Sequence, residues 1–354
     1  MTKEEIFSYN PHKPTPPEKD FVFGVTGLAH GHIHGMCNGL KSAGAKLKAV
    51  YDDDPVLLAD FIKRNPGVAV YESLEELLSD SEIALIATAA IPSHRAEIEM
   101  KAMRAGKDVF DDKAPLITFE QLEAVKACCE ETGRKLFVYY SEFVHNEAAI
   151  FAKQLIDRGV IGEVSHVDIF APHRLNAPSR PDWFFKREET SGILTDIGSH
   201  QFQQFLEYAG AESATVDYAR VKNYFNREYD GFDDFGHAAL TAENGVTGYV
   251  RIDWMSPKGI NTWGDGRVVI LGSRGYIELR KNCNLGYPAS ANNVLVATED
   301  GMYMESVSGK VGYPYFSALI RDSIDRTETA MSSHQAFSAI ELAMTAQKKG
   351  LENR

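Results

Sequence analysis

Residues 24–32 read Gly24-Val25-Thr26-Gly27-Leu28-Ala29-His30-Gly31-His32, directly after the apolar start Phe21-Val22-Phe23. A short strand that ends in a glycine-bearing turn and enters a helix is the opening of a βαβ unit. Backbone N–H groups and a helix N-terminus at such a turn receive a pyrophosphate. Set on the G-x-G-x-x-G pattern, Gly27 opens the turn, Ala29 holds the middle position and His32 the third, with Gly31 one place early. A plain tight turn accounts for these residues equally well. The next strand-like run, Leu47–Tyr51, ends in Asp52, at the place of the acid that accepts hydrogen bonds from a ribose. Asp52-Asp53-Asp54-Pro55 also reads as a solvated helix cap. Taken together, strand, glycine turn, helix, strand and acid predict a dinucleotide site. A carboxylate there accepts from a 2′-hydroxyl and repels a 2′-phosphate, so NAD is expected and NADP is less favoured.

Working outward, the same rhythm continues. Ala84–Ala87, Asp108–Phe110 and Leu136–Tyr140 are further short apolar runs. Between them lie helical spacings such as Leu74, Leu77, Leu78 and Ile98, Ala102, Met103. Strands alternating with helices predict a parallel sheet covered on both faces. After about residue 160 strand-like runs follow one another: Glu163–Phe170, Thr215–Tyr224, Gly236–Ala242, Thr247–Trp254, Arg267–Leu271, Tyr276–Arg280, Val294–Thr298 and Met302–Val307. Glu243-Asn244-Gly245 and Glu299-Asp300-Gly301 are hairpin signals. Two helical segments, Tyr315–Ile324 and His334–Lys348, close the chain. The fold class expected is an α/β Rossmann domain plus an α+β domain with a large, mostly antiparallel open sheet. The divisions read as an arm at 1–19, strewn with Pro11, Pro14, Pro16 and Pro17, a nucleotide domain at 20–143 and a substrate and oligomerisation domain at 144–354.

Composition narrows the function classes. The 354 residues exceed one ordinary domain, and 44% hydrophobic with 25% charged residues is a globular balance. With 37 basic against 50 acidic residues, the formal net charge is −13, and no Lys/Arg run offsets it. Such a chain repels phosphate backbones and anionic lipid, so neither nucleic acid nor membrane is an expected partner. Cys37, Cys128, Cys129 and Cys283 have no metal or redox spacing and suit a reducing compartment. The N-terminal segment lacks the apolar core of a signal peptide, and the longest apolar stretch, Ile83–Pro92, is far short of a membrane span. A cytoplasmic protein is expected.

Three segments carry chemistry. Asp111-Asp112-Lys113-Ala114-Pro115 follows the fourth strand, at the crevice where open α/β sheets bind ligands. An ammonium there stabilises a developing alkoxide; it also reads as a surface ion pair with Asp111 or Asp112. Ser191-Gly192-Ile193-Leu194-Thr195-Asp196-Ile197-Gly198-Ser199-His200 precedes the apolar helical face of Phe202, Phe205 and Leu206. Asp196 and His200 are four apart and share a helical face. A carboxylate beside an imidazole orients a general base, although a cap and a core histidine fit the same pattern. His30, His32 and His34 alternate across a turn-to-helix junction, which does not converge three side chains. Contact with cofactor or substrate is expected of them, and no metal. His173, Arg174 and Trp183, with Trp263 and Asp265 on a later loop, are substrate-pocket candidates suited to a hydroxylated ring.

The ordered set of glycine turn, Asp52, Asp112-Lys113 and Gly192…Asp196…His200 resembles the glucose–fructose oxidoreductase / inositol dehydrogenase / rhizopine catabolism protein (Gfo/Idh/MocA) family. Ala105–Val109, Ile156–Val164 and Leu271–Glu278 extend the likeness over almost the whole chain from about residue 20. The resemblance implies hydride exchange between NAD(P) and a carbinol carbon of a sugar, cyclitol or related polyol. It implies Lys113 as the lysine of the family's Glu-Lys-Pro motif, Asp196 as its second-domain acid and His200 as its acid/base histidine. With Gly27, Ala29, His30, Gly31, His32 and Asp52, the residues Thr88, His94, Asp112 and Lys113 become cofactor-contact candidates. Homodimers or homotetramers through the second-domain sheet are also implied. Three departures stand out. Asp112 replaces Glu, and Ala114 stands where the motif proline belongs. The glycine fingerprint carries Ala29 and His32, and the segment Thr88–His94 is about one residue longer. An NAD-dependent lyase or glycosidase working by transient oxidation uses the same residues for its first step. A non-catalytic NAD-binding regulator would have lost Lys113, Asp196 or His200, and all three are present.

Overall fold

β-Branched and aromatic runs of four to six residues, each broken by a helix, leave a parallel sheet as the way to pair their backbones. The computed structural model describes residues 1–354 apart from Leu285, Tyr287, Pro288 and Ala289. Strands β1 (Val22–Thr26), β2 (Lys46–Tyr51), β3 (Ala69–Val70), β4 (Leu85–Thr88), β5 (Asp108–Asp112) and β6 (Leu136–Tyr139) form one sheet in the order β3-β2-β1-β4-β5-β6. Every pairing in it is parallel. The order reverses beside β1, so the carboxyl ends of β1 and β4 flank a topological switch point, where such sheets bind ligands. Strands β1, β4, β5 and β6 are buried almost throughout. That is why they read as apolar runs and not as alternations.

A second, eight-stranded sheet is built from β7 (Val164–Pro172), β8 (Ala214–Lys222), β9 (Phe235–Ala242), β10 (Thr247–Asp253), β11 (Arg267–Gly272), β12 (Gly275–Arg280), β13 (Asn293–Thr298) and β14 (Gly301–Ser306). Its order is β14-β13-β12-β11-β7-β10-β9-β8, antiparallel except for the central β7–β10 pair. Burial alternates strictly along β9, the signature of a sheet with one covered face. The helix Gly198–Ala209 supplies that cover with Phe202, Phe205 and Leu206, each fully buried. No helix among the described residues is long and apolar enough to cross a membrane.

The chain forms two compact units, and each draws on distant parts of the sequence. Lys13–Tyr139 and Pro314–Phe337 make the Rossmann unit; Met1–His12, Tyr140–Tyr313 and Ser338–Arg354 make the unit with the open sheet. In the Rossmann unit the late segment is tied in polar and apolar ways. Arg326 grips the buried carboxylate of Asp108, at the start of β5, at 2.6 and 3.1 Å. Tyr315 donates its hydroxyl to the Val138 carbonyl at 3.0 Å. Phe316 lies flat against the helix His32–Ser42 at Gly39, where a β-carbon would stand 2.1 Å from two ring atoms.

That contact makes Gly39 a test of the packing. Phe316 is held by Phe110, Tyr139 and Tyr315 and has no room to swing aside. Gly39→Val gains a fraction of a kcal/mol in helix propensity but overfills a closed site, which costs about 1–3 kcal/mol. The expected outcome is a urea midpoint lowered accordingly with an unchanged slope; equal or higher stability would contradict the close approach.

Candidate functional site

In the Rossmann unit the candidates gather at the carboxyl ends of β1, β2, β4 and β5. Gly27 has φ +69°, and a β-carbon there would lie 2.6 Å from both Thr88 Oγ1 and Ala90 Cβ. Glycine is therefore required for the turn to close onto the loop after β4. Two backbone bonds seal that closure: Ala89 N–H to the Gly27 carbonyl and His30 N–H to the Ala89 carbonyl, both 2.9 Å. At the helix N-cap, Gly31 leaves open space where a side chain would stand. Asp52 accepts from the Leu28 N–H in the same turn at 2.7 Å and from the Asp54 N–H at 2.9 Å. Burial pushes its carboxyl above the usual range while these two backbone donors oppose the shift. Turn, gap and acid fit a dinucleotide: the turn would take phosphates and the acid beside it a ribose.

The loop after β5 is held from beneath by Arg95, a fully buried arginine on the helix Pro92–Arg104. Its guanidinium donates to the carbonyls of Ala90 (2.7 Å), Lys113 (2.6 Å), Asp112 (3.3 Å) and Ala114 (3.3 Å). Ala114, at the position of the motif proline, sits at φ +53° within this clamp. Asp112 is fully buried and accepts from His30 Nδ1 (2.9 Å), His32 Nδ1 (2.7 Å) and the Lys113 N–H (2.8 Å). Burial alone would raise its carboxyl, but the histidines His32 and His30 hold it well below the usual range. Burial likewise drives the His30 imidazole down to about 3, against the pull of Asp112. Being neutral, His30 donates Nδ1–H to the carboxylate. Lys113, also buried, follows Asp112 directly. Thr88 is buried at the end of β4, whereas His94 is exposed on the first turn of its helix, away from this cluster's hydrogen bonds. His34 points elsewhere, toward Asp60 and over the ring of Phe61.

In the open-sheet unit, Ser191 and Gly192 at φ +67° and +119° reverse the chain into the helical turn Ile193–Asp196. Ile197 keeps right-handed helical geometry, so Asp196 and His200 lie on one continuous helical run, both buried. Asp196 also lines a small cleft with Phe184, Phe185, Arg187, Phe232 and Trp254. Of the substrate candidates, Trp183 packs against the lining Phe184, while Arg174 spends its guanidinium on carbonyls of Pro257, Ile260 and Thr262. His173 packs against Trp254 and Trp263 and faces Glu142 at 3.5 Å.

Glu142 escaped the sequence reading. It is buried, accepts from Gln201 Nε2 at 2.9 Å and faces the buried Lys281 at 3.5 Å. Burial would raise its carboxyl, yet Lys281, His200 and His173 bring it down to about 2. Lys281 also meets Gln204, whose amide donates to the His200 carbonyl at 3.0 Å. The helix that carries His200 is thus pinned by polar bonds. Arg95, a charged residue amid the apolar positions of a helix, is the one signal that could have pointed to such supports; Lys281, directly after β12, offers none.

Similarity to known proteins agrees with this geometry. Residues 21–140 match the oxidoreductase family with an NAD-binding Rossmann fold, and residues 150–278 match the GFO/IDH/MocA C-terminal domain. The crystal structure of an oxidoreductase from Erwinia carotovora atroseptica is 42% identical, covers 93% of this chain and 98% of its own, and has a TM-score of 0.91. An uncharacterized oxidoreductase of Streptococcus pneumoniae is 28% identical over 73% of this chain and 68% of its own length. The scyllo-inositol 2-dehydrogenase (NAD(+)) of Bacillus subtilis is 27% identical over 72% of each chain. By both domains and by the order of its motifs, the chain belongs to the Gfo/Idh/MocA oxidoreductases.

Proposed function

We propose that the protein is an NAD-dependent dehydrogenase acting on a CH–OH group of a sugar, cyclitol or related polyol. The observation that carries this reading is that Asp196 and His200 share one buried helical run, with Asp196 among the residues of an aromatic-lined cleft. Apolar ring faces with a few convergent polar groups suit a hydroxylated ring. Bound NAD supplies the hydride acceptor, seated by the Gly27–His32 turn and Asp52. His200, oriented by Asp196, accepts the hydroxyl proton as the carbinol is oxidised. Lys113 supplies positive charge to stabilise a developing alkoxide. The clamp of Arg95 and Asp112 on the backbone around Lys113 fixes where that ammonium stands. In the reverse direction His200 returns the proton. The dehydrogenases of inositol among the relatives support the substrate class, and Asp52 supports NAD over NADP.

Two outcomes test this reading. With NAD and a panel of sugars and cyclitols, reduced cofactor accumulates for at least one polyol, and His200→Ala lowers kcat by roughly 10²–10⁴, the span for loss of a general base. Lys113→Ala is comparably damaging. Oxidation falls at low pH as the imidazole is protonated, and Asp196→Asn carries that fall to lower pH. Near-normal turnover by His200→Ala removes the base from the mechanism. Cofactor choice is tested separately by calorimetry: NAD binds more tightly than NADP, and Asp52→Ala narrows the gap. Wild-type affinity for NADP equal to that for NAD overturns the role given to Asp52.

A further inference from the structure

The alternating histidines after β1 are sorted by the fold into two kinds. His34 leaves the group, its Nε2 3.7 Å from Asp60 and its ring stacked on Phe61. His30 and His32 stay together, ring centroids 4.3 Å apart and nearly perpendicular. Both aim Nδ1 at the one buried carboxylate of Asp112, His30 at Oδ2 (2.9 Å) and His32 at Oδ1 (2.7 Å). The three potential ligand atoms lie within 4.8 Å of one another, the one such His/Cys/Asp/Glu group among the described residues.

We infer that His30, His32 and Asp112 form a binding site for one divalent transition-metal ion of the zinc, cobalt and nickel class. Two imidazole nitrogens and one carboxylate oxygen are the ligand types those ions select, whereas calcium and magnesium prefer all-oxygen sets. Metal–ligand bonds of about 2.1 Å place neighbouring ligand atoms roughly 3.0–3.4 Å apart. The two Nδ1–carboxylate separations, 2.9 and 2.7 Å, lie just below that range, and the whole set lies within 4.8 Å. The carboxylate is already fixed from behind, by the Lys113 N–H at 2.8 Å and by Arg95 Nη2 at 3.4 Å. Outer contacts of this kind orient a metal ligand. Asp112 is fully covered while the His30 and His32 side chains are 20% and 33% exposed, so the open coordination positions lie on the solvent side. Coordination through Nδ1 moves each imidazole proton to Nε2. A neutral ring releases no proton on this change, and Asp112 supplies one of the two negative charges that would balance the ion. The nearby helix N-terminus and Arg95 oppose a cation, which sets the site apart from a tight structural zinc centre. With only three protein ligands, it keeps positions free for a further donor.

The test needs no substrate and no cofactor, so its outcome is independent of the catalytic reading. Full-length, tag-free protein is stripped with chelator and titrated with cobalt(II), followed by visible absorption, and with zinc by calorimetry. One equivalent per chain is expected. His30→Ala and His32→Ala, each with unchanged circular dichroism, should weaken binding at least tenfold, and His34→Ala should leave it unaltered. His32→Ala removes a partly exposed side chain, so the comparison survives if an Asp112→Asn chain fails to fold. Absence of saturable binding, binding retained in both His30→Ala and His32→Ala, or equal loss in His34→Ala overturns the site.

Discussion

The ligand-binding edge of the Rossmann unit depends on one buried guanidinium. Arg95 is packed without solvent contact among Asp111, Asp112 and Glu99, three carboxyl groups that are themselves fully buried. A buried arginine cannot shed its proton, so its charge has to be met in place. Asp112 meets it as a carboxylate. Burial raises the neighbouring Glu99 well above the ordinary range and lifts Asp111 to about 7, which favours their neutral forms beside a single cation. The remaining donors of Arg95 go to four backbone carbonyls in two loops, after β4 and after β5. Breaking such a pair from one side typically costs about 3–5 kcal/mol. That strength lets irregular backbone, including a left-handed alanine, stand where the sheet meets its ligand.

The open-sheet unit solves a parallel problem with other residues. A helix carrying His200 is anchored through Gln201 and Gln204 to the buried Glu142–Lys281 pair. The pair is worth less as a source of stability than as a constraint on geometry, because desolvation consumes much of its Coulombic gain. What it contributes is a fixed place for the backbone from which the histidine projects. In both units, then, polar groups proposed for chemistry stand on charged groups buried beneath them.

Much of this was legible in the sequence because the physics there is local. The strands were placed within a residue or two, since apolar runs bounded by glycine turns have few alternatives. The switch from buried parallel strands to alternating antiparallel ones marked the change of architecture near residue 160. The pair Ala69–Val70 was missed although it sits in the apolar run Val68–Tyr71; the strand is only two residues long and exposed at the sheet edge. Nothing in residues 314–337 announces that they pack with the first sheet. Their partners, Asp108, Gly39 and Val138, are far away in the chain, 177 residues for Val138 and 218 for Asp108. For the same reason Asp112 could be named as a loop acid but not as the meeting point of His30 and His32. Local spacing separated the alternating histidines; only the return of the chain through β5 brought two of them to a common carboxylate.

The central claim is that the carboxyl edge of the six-stranded sheet, as clamped by Arg95, is the seat of a dinucleotide. A crystal structure of the protein with NAD bound tests it most directly. The pyrophosphate is expected on the Gly27–His32 turn, the adenosine ribose hydroxyls on Asp52 and the nicotinamide end of the molecule toward Lys113. A cofactor bound elsewhere, or one whose ribose turns away from Asp52 with its phosphates off the glycine turn, would contradict it.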